Sequence, residues 1–185
     1  MKNLLAVMAT VCVSTGAAGE AETSASMSAL ALGFSEDVTY DPEAYPQVEC
    51  MALNIYYEAR SSNNADQYAV ADVVLNRAED TRYPNTICEV VKDGFKHANG
   101  EMKRNKCQFS WYCDGKGDTP TDMESFYKAR SIAWDMVMLD SFRGITEGST
   151  HYHTSYVNPI WNKSKSGWSI TRVGRIGSHI YYRWN

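Results

Sequence analysis

The segment Ala65 to Arg77 packs Ala69, Val70, Ala71, Val73, Val74 and Leu75 into a short span. A helix built from it must be buried on most sides, so the rest of the chain has to wrap around it as the spine of one domain. Valines also tolerate a strand, but the length and flanking signals favour helix: Asn64 followed by Gln67 resembles a capping box. A chain of 185 residues, 44% hydrophobic and 22% charged, can supply the surrounding core and forms one compact domain with a short extra segment. The formal net charge of -4 lacks the basic face that nucleic-acid binding uses, so no nucleic-acid partner is expected.

Just upstream lies Met51-Ala-Leu-Asn-Ile-Tyr-Tyr-Glu-Ala-Arg60. Met51, Ile55 and Ala59 recur at helical spacing and mark one apolar stripe. Glu58 follows Ile55 by three positions, so its carboxylate leans towards that stripe. It also stands near the helix end, because Arg60-Ser-Ser-Asn-Asn64 reads as a cap and loop. Apolar surroundings and the negative end of a helix dipole both disfavour an ionised carboxylate. A general acid working near neutral pH needs that environment, and the alternative is a plain surface glutamate near a helix terminus.

The first residues have the pattern of a secretory signal: Lys2, an apolar core from Leu4 to Val13, and the small residues Gly16-Ala-Ala-Gly19. Residues 1–19 are therefore expected to be a signal peptide, with no stable membrane insertion after cleavage, and the protein to be exported to the periplasm or outside the cell. Residues 20–40, rich in Ala, Ser and Glu, read as a flexible lead-in. Cys12 falls within the signal. Cys50, Cys88, Cys107 and Cys113 remain, and an even number in an exported chain favours disulfides, with all three pairings open. A four-cysteine zinc site is the rival, against which stands the lack of any CxxC spacing.

Asp41-Pro42 and Pro46 punctuate the approach to the first helix. Thr86 with Glu89 opens a short helix that stops at Gly94. Residues 95–120 read as a long loop holding the aromatic island Cys107-Gln-Phe-Ser-Trp-Tyr-Cys113. Thr121 with Glu124 caps a further helix, with Met123, Phe126, Ile132, Ala133 and Met136 on its inner side. His151 to Trp161 reads as an aromatic, polar loop. The loose alternation from Ile170 to Tyr182, with Gly174 and Gly177 inside it, predicts a small hairpin. The expected class is α+β, mainly helical, with that hairpin at the C-terminus.

Several of these segments occur together in one known family. Glu58-Ala-Arg60, Ala69-Val-Ala-Asp-Val-Val-Leu-Asn-Arg77, Tyr83-Pro-Asn-Thr-Ile-Cys-Glu-Val-Val91, Cys107-Gln-Phe-Ser110, His151-Tyr-His153 and Ile176-Gly-Ser-His179 come in that order. The chain resembles the SleB-type cell-wall hydrolases, named for the spore-cortex-lytic enzyme of germination, over roughly residues 48 to 183. One departure is Ser61-Ser62 after Arg60, where the family often has Gly-Glu, so a second carboxylate is missing there. The resemblance implies a lysozyme-like catalytic domain over residues 41–185. It implies cleavage of peptidoglycan glycan strands between N-acetylmuramic acid and N-acetylglucosamine by a lytic transglycosylase. The family's catalytic glutamate maps onto Glu58.

Ordinary glycosidases flank the bond with two carboxylates roughly 5 to 9.5 Å apart. A transglycosylase needs one, because the sugar's acetamido group can stabilise the cation and its 6-hydroxyl can attack. Gln108, Phe109 and Ser110 offer the polar and aromatic mixture that holds an N-acetyl sugar, with Tyr152, His153, Tyr156 and Trp161 as further cleft candidates. The competing use of the Cys107–Cys113 island is to pin a loop, and of Tyr156 and Trp161 to fill a core. Asp66 and Asp72 read as structural. No cofactor is expected. Two other function classes remain: a zinc amidase or peptidase of the wall using His151, His153 and His179, and a wall-binding module without activity.

Overall fold

The computed structural model describes residues 40–162 and 169–185, and the compact unit runs Tyr40–Asn185. The expected signal peptide, Cys12 and the lead-in up to residue 39 lie outside the described residues.

Helix α1 spans Pro46–Ala59, with proline in its first turn as expected. Met51, Ile55 and Ala59 are all buried, so the stripe faces the core. Helix α2, Asn64–Glu79, buries Ala69, Val70, Ala71, Val73 and Val74, and also Asp66, Gln67, Asp72 and Arg77. A helix enclosed on nearly every side must satisfy its polar side chains internally, and these four anchor the rest of the domain. The short α3, Ile87–Val91, and α4, Met123–Met138, complete a helical layer whose shared core includes Met51, Ile55, Val74, Val90, Phe126 and Ile132. A disulfide joins Cys50 of α1 to Cys88 of α3.

Thr86 caps α3 as expected: its Oγ1 accepts from the Glu89 amide at 3.2 Å and donates to the Glu89 carboxylate at 2.7 Å. Two other caps fall one residue from the expected position. Asn63, not Asn64, caps α2 by accepting from the Asp66 amide at 2.9 Å. That frees Gln67, whose Nε2 donates to the Ala59, Arg60 and Ser62 carbonyls and closes the end of α1 instead. Asp122, not Thr121, caps α4 through the Ser125 amide at 3.1 Å, and Met123 at the helix start is exposed rather than inward.

The segment expected as a loop over 95–120 contains structure. Strands β1, Gly94–Lys96, and β2, Met102–Cys107, pair antiparallel. A 3₁₀ turn, Ser110–Cys113, follows and is tied back by the Cys107–Cys113 disulfide. Gly94 is required at the junction, since a Cβ there would stand 2.8 Å from the Cys107 Cα.

The C-terminal hairpin is present and gains a partner. Strands β4, Ile170–Ile176, and β5, His179–Trp184, form it. The segment read as a loop supplies β3, His151–Thr154, giving the antiparallel order β3-β5-β4. Asp66 locks this sheet to α2. It accepts from the Ser178 amide and hydroxyl at 3.1 and 2.8 Å, from Tyr181 Oη at 2.9 Å, and pairs with His179 Nδ1 at 2.9 Å. Asp72 does the same for the loop before β3, receiving Arg143, the Gly144 amide and both the amide and hydroxyl of Thr146. Both aspartates are structural, as expected. No helix among the described residues is long and apolar enough to cross a membrane.

Candidate active site

Glu58 sits on the last turn of α1, where the buried stripe meets the sheet. It lines a cavity of about 150 Å³ together with Arg77, Gln108, Phe109, Ser110 and Tyr152. Each wall comes from a different element: α2 supplies Arg77, the segment after β2 supplies 108–110, and β3 supplies Tyr152. Tyr152 Oη donates to Glu58 Oε2 at 3.2 Å. Gln108 is fixed through its backbone, whose N–H donates to the Asp93 carbonyl at 2.9 Å.

Burial raises the proton affinity of Glu58 above that of an ordinary carboxyl. The Tyr152 hydroxyl, His179 and Arg77 all pull the other way and do not overcome it. Burial and the adjoining Glu58 likewise keep the Tyr152 phenol protonated well past its usual range, so it remains a donor. The site thus holds one carboxyl inclined to carry its proton beside short polar groups, the condition a general acid requires.

Arg77 was not singled out from the sequence. It stands in the last turn of a helix, where a cation reads as a complement to the helix dipole. In the fold it is buried, its Nε donates to the Thr150 carbonyl at 2.8 Å, and its guanidinium lies 5.1 Å from the Phe109 ring and 5.4 Å from the Tyr83 ring.

The remaining sequence candidates stand elsewhere. Successive strand residues face opposite ways, so Tyr152 and His153 part company. His153 stacks on Tyr182 at 5.3 Å and shares Nε2 with Tyr182 Oη and Asn162. Trp161 packs against His151, His153 and Tyr182 on that same face. Tyr156 is 84% exposed on the turn after β3. Among the described residues, none of these three lines the Glu58 cavity.

Strand register also separates the three histidines of the zinc reading. His151 lies opposite Tyr182 and His153 opposite Ile180, whereas His179 lies opposite Thr154. Directly opposed residues share a face, so His151 and His153 are on one side of the sheet and His179 on the other. His179 is committed to Asp66, and the three rings cannot converge on one ion. No group of three or more His, Cys, Asp or Glu side chains able to hold a metal ion occurs among the described residues. Burial, with Arg77 and Arg82, pushes His151 down to about 4, which removes it as a proton donor near neutral pH.

A wider groove of about 310 Å³ is lined, among others, by Tyr57, Trp111 and Asp118. Tyr57 precedes Glu58 and Trp111 follows Ser110 in the chain, so the same two segments contribute to both spaces. Tyr57 stacks on Trp111 at 4.7 Å, and Trp111 Nε1 donates to buried Asn54 at 3.1 Å.

This is an α+β domain, mainly helical, with a single carboxyl set in a small polar cavity between the helices and the sheet. The chain belongs to the cell wall hydrolase family, whose pattern it matches over residues 61–182, more than half its length. That match begins just beyond Glu58, so the role of Glu58 is argued from its surroundings. The catalytic domain of the Bacillus cereus SleB protein has a similar fold, with a TM-score of 0.50 and 25% identity, covering 77% of this chain and 91% of that domain. The spore cortex-lytic enzyme of Bacillus cereus is 27% identical over 143 residues, 76% of this chain and 46% of that enzyme. The spore cortex-lytic enzyme of Oceanobacillus iheyensis is 29% identical over 144 residues, 76% of this chain and 43% of that enzyme. The chain thus spans less than half the length of these full-length relatives.

Proposed function

We propose that this protein cleaves peptidoglycan glycan strands as a lytic transglycosylase, between N-acetylmuramic acid and N-acetylglucosamine, with Glu58 as the one acid and base. The observation that carries this reading is the cavity itself: among the described residues Glu58 is the only carboxylate that lines it, and burial raises its affinity for a proton. A two-carboxylate glycosidase needs a second acid facing the scissile bond, and among the described residues none lines this cavity, Asp118 standing in the separate groove of Tyr57 and Trp111. A lone acid fits a reaction in which the substrate supplies its own nucleophile. Glu58 gives its proton to the glycosidic oxygen as the C1–O bond breaks, and the acetamido group stabilises the cation. The 6-hydroxyl oxygen then bonds to C1 and its proton returns to Glu58, leaving a 1,6-anhydro end. Gln108, Phe109 and Ser110 hold the sugar at this point, and the groove of Tyr57 and Trp111 offers an aromatic platform for a further part of the strand. The family membership and the names of the spore cortex-lytic relatives support a wall substrate. The signal-like N-terminus and the two disulfides support export to the periplasm or beyond.

The test is digestion of purified sacculi followed by mass spectrometry of the released fragments. The expected muramic ends are anhydro, lighter by one water than hydrated ends. Glu58→Gln keeps the shape and removes the proton, and should lower the cleavage rate by about 1,000-fold or more while sacculi still bind. Hydrated reducing ends would overturn the transglycosylase step. A wild-type rate in the variant would overturn the role of Glu58, and the absence of lysis by the wild-type protein would leave the binding-module reading standing.

A further inference from the structure

Arg77 is a fully charged group enclosed by protein, yet among the described residues no carboxylate lies within ion-pair distance of it. Its Nε is used by the Thr150 carbonyl, but its buried Nη1 has no hydrogen-bond partner. A buried cation without a counter-ion is costly, and stacking against Phe109 and Tyr83 offsets only part of that. Nη1 is also closed off from solvent, so it cannot serve as a docking point for a substrate entering the cavity. The guanidinium nonetheless lies on the cavity it lines with Glu58, where its charge acts through space.

We propose that Arg77 is the counter-charge for Glu58, holding it as a carboxylate between the two proton transfers, and is thus a positioning residue for the reaction. This rests on the proposed acid–base role of Glu58. When Glu58 has given up its proton, a negative charge is left in a desolvated cavity. The fixed guanidinium supplies the opposing charge at that moment without having to move. Before the transfer Arg77 makes the neutral acid more willing to part with its proton, since an opposite charge nearby favours the ionised form. Burial is the largest influence on Glu58, and the Tyr152 hydroxyl and then His179 favour its carboxylate ahead of Arg77. The other groups that bear on Arg77 are Tyr83, Tyr152 and Asp93, and none of them bonds to it directly.

The experiment compares Arg77→Met and Arg77→Lys with the wild-type chain. The first readout needs no substrate: a carbon-13 titration of the Glu58 carboxyl by NMR. Arg77→Met should raise its midpoint by about one pH unit or more, and Arg77→Lys, which keeps the charge, should restore most of the shift. The second is the pH profile of sacculus cleavage. Glu58 must start protonated, so a higher midpoint carries the alkaline limb upward by the same amount. In parallel kcat falls by about 10-fold or more, because a weaker acid donates less readily, with KM little changed. A Glu58 midpoint that stays put in Arg77→Met overturns the proposal, as does a rise in KM alone. If Arg77→Met does not fold, Arg77→Lys still decides: a rate and limb unlike wild type in a folded protein overturns the counter-charge role. Failure of the wall-cleavage reading would show as normal titration shifts with no cleavage by any form, which keeps the two failures apart.

Discussion

Asp66 is wholly enclosed and yet ionised. Burial alone would raise its proton affinity, but His179 at 2.9 and 3.0 Å, the amide and hydroxyl of Ser178, and the Tyr181 hydroxyl all favour the carboxylate. Together they outweigh burial and hold Asp66 well below the usual carboxyl range. The folded affinity for protons is therefore lower than the unfolded one. Stability from this group is in full force above the unfolded value of about 4 and is lost progressively as the pH falls below it. Wild-type protein should accordingly lose melting temperature on acidification below about pH 5. Asp66→Asn should cost about 3 kcal/mol at pH 7, since it leaves buried donors facing an amide, and should show a shallower acid decline. Calorimetric melting from pH 3 to 8 checks both; identical acid slopes in the two proteins would exclude Asp66 as the source.

The element that Asp66 secures is the β4–β5 hairpin, and its turn leaves no slack. Gly177 has φ +54, and a Cβ added there would lie 2.7 Å from the Asp66 carboxylate. Gly177→Ala is thus strained in its backbone and displaces the acceptor of four hydrogen bonds; it should cost about 2 kcal/mol or more, measured by urea unfolding. A stability within about 0.5 kcal/mol of wild type would show that the turn can relax. This hairpin was legible in the sequence because its apolar residues alternate around two glycines. The helices were legible for a similar reason: Met51, Ile55 and Ala59 keep helical spacing because one face is buried. The β1–β2 hairpin was not, since Met102–Cys107 is exposed along most of its length and carries no alternation to read. Caps slipped by one residue where neighbours have similar side chains, as with Asn63 and Asn64. In the candidate site, the burial of Glu58 was readable from its place on the stripe, and Gln108 to Ser110, picked out for their polar and aromatic mixture, line the same cavity. Grouping His153, Tyr156 and Trp161 with Tyr152 followed nearness in sequence, whereas strand alternation turns His153 away from the cavity and Trp161 packs on that far side. Arg77 escaped because what matters about it, a missing counter-ion, exists only once distant elements are assembled.

Across the whole molecule the helical layer and the segment that carries Gln108 to Ser110 are each closed by a cystine. Cys50–Cys88 spans 38 residues and Cys107–Cys113 spans 6. Constraint of the unfolded chain makes the first worth about 4 kcal/mol and the second about 2 kcal/mol. Their sum is comparable to the total stability of an ordinary domain, about 5–15 kcal/mol, so reducing both bridges should remove much of the stability of the fold. The two bridges should nevertheless fail differently. Replacing Cys50 and Cys88 by Ser loosens α1 against α3 and should lower the urea midpoint most. Replacing Cys107 and Cys113 by Ser removes the tie behind one wall of the Glu58 cavity. It should therefore cost sacculus cleavage more than its smaller loss of stability accounts for, when activity is measured where both variants are fully folded. If the second variant cleaves at the wild-type rate under those conditions, the bridge only braces the chain and the 108–110 wall keeps its shape without it. If the first loses no more stability than the second, loop length is not what sets their contributions and native-state strain has to be weighed instead.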